Sequence, residues 1–230
     1  MRDTDESRGF KAKARAYTGS SLRSLSFLLS LLIIFPCLAE TDMTIEGIQK
    51  RYEGIKDIKG SFVQKSEIRD LKRTDTFKGK FLIKLPGKMK WRYTGDSRQD
   101  AEVLIRDEEI LVYQKHEKQA FRGRFDRETY GQAPLALLGG FVNIEGEFET
   151  SLKNNRIVLK PRRPMGSVVS IEITPSEGEF PIGALSIVDR YSNRIEITLR
   201  DVTINSGVKE SSFDIPLPKD VSIYDYNRAE

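Results

Sequence analysis

The sequence predicts a mainly β protein with helices, an antiparallel meander of about eleven strands curling toward a barrel. Residues 77–93, FKGKFLIKLPGKMKWRY, alternate apolar and basic side chains along two arms that share a turn. Successive strand side chains point to opposite faces, so this period of two makes a ribbon with one apolar and one charged side. Short runs of the same kind recur from Ser61 onward, separated by turn residues, the pattern of strands joined by hairpins. A flat sheet holds about eleven strands poorly, which favours curling.

The first segment is set apart from the domain. Leu25, Phe27, Leu28, Leu29, Leu31 and Leu32, with Ile33, Ile34 and Phe35, form an apolar run between Arg23 and Pro36-Cys37-Leu38-Ala39. A basic flank, an apolar stretch of roughly 7–15 residues and a small residue at the end describe a secretory signal peptide. The run is short for a membrane span of about 20 residues. Cleavage after Ala39 is expected, with the polar stretch before Arg23 an upstream extension that carries no fold, leaving residues 40–230 as the domain.

Removing residues 1–39 removes six basic and three acidic side chains, and the totals of 38 and 34 become 32 and 31. A net charge of +1 gives no argument for nucleic acid. The only cysteine, Cys37, lies in the removed part, which excludes disulfides, thiolate metal sites and cysteine nucleophiles from the mature chain.

Within the domain, Asp42 is a candidate cap for a helix in which Ile45, Ile48, Tyr52 and Ile55 recur every three or four residues, the mark of a helix lying one-sided on a core. Gly54 and Gly60 bracket its end. Strands are expected at 61–68, 74–85, 89–94, 101–106, 110–115 and 119–125, then at 148–152, 156–160, 168–174, 184–189 and 194–204. In the last, Ile195, Ile197 and Leu199 alternate with Glu196, Thr198 and Arg200, while Val202 and Ile204 break parity, which places a bulge near Asp201. Between the two sets, Pro134 opens and Gly139 closes a short helix that is apolar nearly all round and so must be buried or act as a plug. Phe213, Ile215, Pro216 and Pro218 close the domain in an edge-like segment.

Several segments, taken in order, resemble the LolA family of periplasmic outer-membrane lipoprotein carriers. They are Ile55–Gln64 (IKDIKGSFVQ); Gly79–Tyr93 with its Pro86-centred turn; Asp107 with Ile110-Leu111-Val112-Tyr113 and Gln119; and Phe213-Asp214-Ile215-Pro216-Leu217-Pro218 with Val221. The resemblance runs from about Met43 to about Ile223. It implies an unclosed antiparallel β-barrel with a helical lid over a cavity for lipoprotein acyl chains, in a monomeric periplasmic protein. Such a carrier takes cargo from an inner-membrane ABC lipoprotein-releasing transporter and passes it to an outer-membrane acceptor. A glycolipid carrier or a lipoprotein-stress sensor of the same fold is the alternative. Two positions depart from the family pattern. Leu85 stands where these carriers often have an arginine that holds the lid, and leucine cannot donate a hydrogen bond. Glu108 stands where a glycine is usual.

On this reading the cavity wall comprises Phe81, Ile83, Leu85, Met89, Trp91 and Tyr93, and the lid supplies Leu135, Leu137, Leu138 and Phe141. Each buried CH₂ is worth about 0.8 kcal/mol, so enclosing a chain of roughly sixteen carbons would gain on the order of 12 kcal/mol. A carrier must offset most of that to release its cargo, and prising the lid from the cavity supplies an opposing cost. The bases on the other face, Lys78, Lys80, Lys84, Lys88, Lys90 and Arg92, are expected to be solvated. No nucleic-acid site is expected, because the aromatics face away from the bases. His116, the only histidine, falls in a predicted turn beside Glu117 and Lys118. No metal-ligand spacing or phosphate-cradling loop occurs, and neither an enzyme nor a cofactor is expected.

Overall fold

In the computed structural model, which describes residues 44–95, 100–126, 134–139 and 144–226, Thr44 opens the first element. Its Oγ1 accepts the backbone N–H of Gly47 at 3.1 Å, capping helix α1 (Ile45–Tyr52). The cap is therefore Thr44 rather than Asp42, which with residues 1–39 lies outside the described residues. Glu46 in the first turn and Lys50 and Arg51 in the last suit the helix dipole. Ile45, Ile48, Tyr52 and the following Ile55 are all buried, as their spacing predicts.

Among the described residues twelve strands follow: β1 (Asp57–Ile68), β2 (Arg73–Lys84), β3 (Lys88–Thr94), β4 (Ala101–Arg106), β5 (Glu109–Gln114), β6 (Gln119–Arg124), β7 (Phe148–Lys153), β8 (Arg156–Pro161), β9 (Val168–Pro175), β10 (Ile182–Asp189), β11 (Arg194–Ile204) and β12 (Ser222–Asp225). They form one sheet in the order β12-β6-β5-β4-β3-β2-β1-β11-β10-β9-β8-β7, with β12 and β7 as its edges. The sheet is not closed. Every pairing is antiparallel except that of β12 with β6, which is parallel. The sequence reading misses β12, whose four residues are too few to display a period. A four-residue helix, α2 (Ile144–Glu147), precedes β7.

Gly60 does not end the helix but sits inside β1. It pairs with Phe81 while Phe62 pairs with Gly79, so each ring faces a glycine across the strands. A Cβ on Gly79 would come within 2.2 Å of the Arg92 carbonyl oxygen and 2.6 Å of the Phe62 ring. No side chain fits there, and the close approach accounts for that glycine. Where β1 meets β11, pairing passes from Lys59 opposite Thr203 to Ser61 opposite Arg200, one residue more on β11. Asp201 has φ 52°, and the expected bulge lies there.

The sheet has two apolar faces. One packs Ile58, Phe62, Phe81, Trp91, Ile171 and Ile197 with their neighbours beneath α1 and the 3₁₀ helix Pro134–Gly139. The other gathers Leu104, Tyr113 and Ala120 under Phe213 and Ile215.

Candidate functional site

The inner wall is built by the β2–β3 hairpin. Phe81 pairs with Trp91 and Ile83 with Met89, and β4 continues the face with Val103 opposite Trp91 and Ile105 opposite Met89. Phe81, Ile83 and Trp91 are each 2 % exposed and Met89 6 %. Tyr93 continues the same row but is only half-buried; its ring stands edge-on to Phe62 at 5.5 Å and to Phe77 at 5.9 Å. Leu85 lies past the end of β2, half-buried.

The segment expected as the lid forms a 3₁₀ helix, running from Pro134 to Gly139 as the sequence predicts. Leu135, Ala136, Leu137 and Leu138 are all buried, so this plug turns every described side chain inward. Met89 comes up against it: a Cβ on Gly139 would lie 2.8 Å from the Met89 sulfur. Phe141 lies outside the described residues. Leu135, Leu137 and Leu138 belong to the same buried cluster as Phe81, Ile83, Met89 and Trp91.

One polar tie reaches the lid from α1. Tyr52 Oη donates to the Leu138 carbonyl at 3.3 Å, and burial raises the phenol well above its ordinary pKa, keeping it a donor. The Tyr52 ring also packs on Phe180 at 5.5 Å. Arg51 holds the helix in place by donating to the carbonyls of Ser176, at 2.8 Å, and Gly178. Sequence reasoning places Tyr52 in the core but not at the lid. The two residues stand 86 positions apart, and no local pattern announces their meeting.

Cavities lie at both ends of this wall. At the Leu85 end, a cleft of about 550 Å³ runs between α1 and the β2–β3 turn, lined by Tyr52, Ile55, Lys56, Leu85 and Pro86. At the other end a pocket of about 280 Å³ is lined by Gln64, Phe77, Tyr93, Gln114, His116 and Glu117, with Asp100 and Ala101. From Ile58 to Gln64 the wall extends about 20 Å at strand rise. Gln64 is buried and accepts a hydrogen bond from Tyr93 Oη at 3.2 Å. The parity of β1 could have flagged it, being a polar residue two after inward-facing Phe62. His116 is exposed, in the turn between β5 and β6.

The outer face corrects two expectations. Residues 208–221 do not form an edge; they run across the sheet, with Phe213 fully buried and Ile215 8 % exposed against β4–β6. They also engage much of the basic stripe. Lys84 and Lys88 both meet Glu210, at 2.9 and 2.6 Å, and hold its carboxyl at a pKa of about 2. Lys90 donates to the Asp214 carbonyl at 2.5 Å, and Arg106 donates to that of Phe213. Arg92 pairs with Asp100 at 3.2 Å. Lys78 and Lys80 alone of the stripe's lysines are exposed as expected. The strap begins at a buried anchor: Asp57 accepts from Ser206 N (2.8 Å), Ser206 Oγ (3.0 Å) and Gly207 N (3.1 Å). Burial alone would raise the Asp57 carboxyl, but these bonds outweigh it and leave the pKa lowered.

Comparison with known proteins adds the following. The family model described as outer membrane lipoprotein carrier protein LolA matches residues 53–216. An outer-membrane lipoprotein carrier protein of Cupriavidus taiwanensis is 25% identical over 194 residues, 77% of this chain and 86% of that protein. Another, from Neisseria meningitidis serogroup B, is 26% identical over 185 residues, 78% of this chain and 86% of that protein. Among solved structures, a LolA superfamily protein of Nitrosomonas europaea covers 75% of this chain and 98% of its own, at 9% identity and a TM-score of 0.43.

Proposed function

The chain belongs to the outer-membrane lipoprotein carrier family, whose carriers are not enzymes, and from that premise we propose that it shields lipoprotein acyl chains in the periplasm between the lid and the β2–β4 wall. It receives them from an inner-membrane ABC transporter and yields them to an outer-membrane acceptor. The observation that carries this reading is the make-up of the covered face. Phe81, Ile83, Met89 and Trp91 meet Leu135, Leu137 and Leu138, and the tie between α1 and the lid is the Tyr52–Leu138 hydrogen bond. Acyl CH₂ groups can replace leucine side chains against such a wall, with loss of the Tyr52–Leu138 hydrogen bond.

The lid then acts as a competitive internal ligand. Cargo displaces it, and its return helps expel cargo, which lowers the net affinity from the roughly 12 kcal/mol that full burial of one chain would provide. Met89, unbranched and flexible, suits a wall that meets lid and cargo in turn. The test is release of lipoproteins from inner-membrane vesicles. Wild-type protein should release them and carry them in a soluble complex, with lipoprotein identified by mass spectrometry. Trp91→Glu and Leu137→Glu should abolish release; normal release by both, or recovery of glycolipid in place of lipoprotein, overturns the proposal.

A further inference from the structure

The outer face of the sheet carries lysines and arginines over two regions, and they meet different fates. Beside the strap, Glu210 cancels Lys84 and Lys88, and Glu102 meets Lys90 at 3.4 Å. Over β1, β2 and β11 the face is open to solvent, with Lys59, Lys78, Lys80 and Arg200 all exposed. Parity puts them there. Ile58, Phe81 and Leu199 are buried on the inner side, so their strand neighbours Lys59, Lys80 and Arg200 point outward. Register then gathers them. Ser61 pairs with Lys80 on one side and with Arg200 on the other, and Lys59 stands two residues before Ser61, as Lys78 does before Lys80. At a strand spacing of about 4.8 Å and a rise of about 3.4 Å per residue, the four Cα atoms fall within about 15 Å. One carboxylate, Asp201, shares this patch and accepts from Ser61 Oγ at 3.0 Å. Glu196 lies further along β11, opposite Lys65.

Charge and texture narrow the partner. Residues 40–230 as a whole balance to a net charge of +1, so this cluster is a local excess rather than a share of a general charge. The surface it suits is anionic. Its neighbours on the same face are Ser61, Val63, Thr198 and Thr203, small side chains on a regular sheet. Protein interfaces are depleted in lysine and centre on aromatic or arginine anchors seated in desolvated pockets. Lysines spread over a smooth polar face match instead a layer of anionic lipid headgroups, which move laterally to meet the charges and need no fixed pocket.

We propose that the outer face over β1, β2 and β11 docks reversibly on an anionic phospholipid bilayer. The inference goes beyond the acyl-carrier reading and does not depend on it. Docked this way, the inner face with α1 and the 3₁₀ helix points away from the bilayer, so contact with the surface does not by itself bring membrane hydrocarbon to the acyl wall. Co-sedimentation of the mature protein, residues 40–230, with vesicles at low ionic strength tests it. Wild-type protein should bind phosphatidylethanolamine vesicles containing about a quarter phosphatidylglycerol, and phosphatidylcholine vesicles at least about tenfold more weakly. Each Lys or Arg near such a surface contributes about fivefold, so Lys59→Gln, Lys80→Gln and Arg200→Gln together should weaken binding on the order of a hundredfold. A triple variant that removes the same charge elsewhere, Lys50→Gln, Arg69→Gln and Lys219→Gln, all exposed, should stay within about threefold of wild type. Thermal melts establish that both triples are folded; if the first is not, its three single variants are measured, each expected about fivefold weaker. Salt at about 0.5 M should release the wild type. Equal binding to both kinds of vesicle, equal loss in the two triples, or binding unchanged by neutralising the patch overturns the proposal. Failure of the wild type to bind anionic vesicles overturns it too and leaves an acidic protein as the occupant.

Discussion

The two faces of one sheet are covered in opposite ways. Inside, residues 135–138 present four buried apolar side chains, and Tyr52 of α1 donates to the Leu138 carbonyl. Outside, the strap is fixed by Phe213 and Ile215, by Glu210 between two lysines, and by backbone carbonyls that accept from Lys90 and Arg106. Non-directional apolar contacts can be exchanged for those of any hydrocarbon at similar free energy, whereas fixed donor–acceptor pairs cannot. On the proposed function, the contrast separates a cover that cargo displaces from one that stays.

The strongest way to break that contrast is to cut equivalent apolar anchors on each side. Phe213→Ala should lower unfolding free energy by about 3–5 kcal/mol and Leu138→Ala by about 2–5 kcal/mol. Hexadecanol should then restore Leu138→Ala by more than it stabilises the wild type, a gain of up to about 2.7 kcal/mol at a hundredfold excess over Kd. Phe213→Ala should gain no more than the wild type does. Equal rescue of both in thermal melts would erase the distinction.

The strap's anchor makes a smaller prediction that depends on pH. Asp57→Asn should cost about 1–3 kcal/mol near neutrality, the worth of hydrogen bonds to a charged acceptor. The folded carboxyl titrates below its usual value, so its contribution is complete above an unfolded pKa near 3.9 and is lost as pH falls through the folded one. The difference in Tm between wild type and variant should close on acidification; a constant gap would assign Asp57 a different role. Smaller again, Tyr52→Phe should cost about 1 kcal/mol and speed amide exchange in residues 135–139 while leaving 208–215 unchanged. Glu210→Gln should have the least effect, a modest rise in exchange confined to the strap. Added salt should reproduce it in the wild type, since the pair is exposed.

How much of this was legible beforehand follows from the range of each cause. The β2–β3 hairpin and the inward placement of Phe81, Ile83, Met89 and Trp91 follow from a period of two, a strictly local signal. The Asp201 bulge was readable because Val202 and Ile204 break that period. The lid's extent was readable from Pro134 and Gly139. The strap was misread because Phe213-Asp214-Ile215-Pro216 shows that two apolar residues need cover but not which face supplies it. The lysines were misread for the same reason, since a basic stripe looks identical whether it meets water or a distant Glu210. At α1, Asp42 and Thr44 are both competent caps two residues apart, and only geometry chose between them. The pocket at the Gln64 end gathers residues from β1 to β5 and the β5–β6 turn, a meeting that no spacing along the chain records.

The strap follows β2 and β4–β6 along the chain, so a ribosome makes it after the strands it covers. Until Val208 to Val221 emerge, Leu82, Leu104, Leu111, Tyr113 and Ala120 have nothing but water or a neighbouring molecule against them. Residues 208–221 thus behave as a built-in chaperone for the outer face. A frameshift just before Val208 would leave β1–β11 with their outer face adhesive and would remove the edge strand β12 as well.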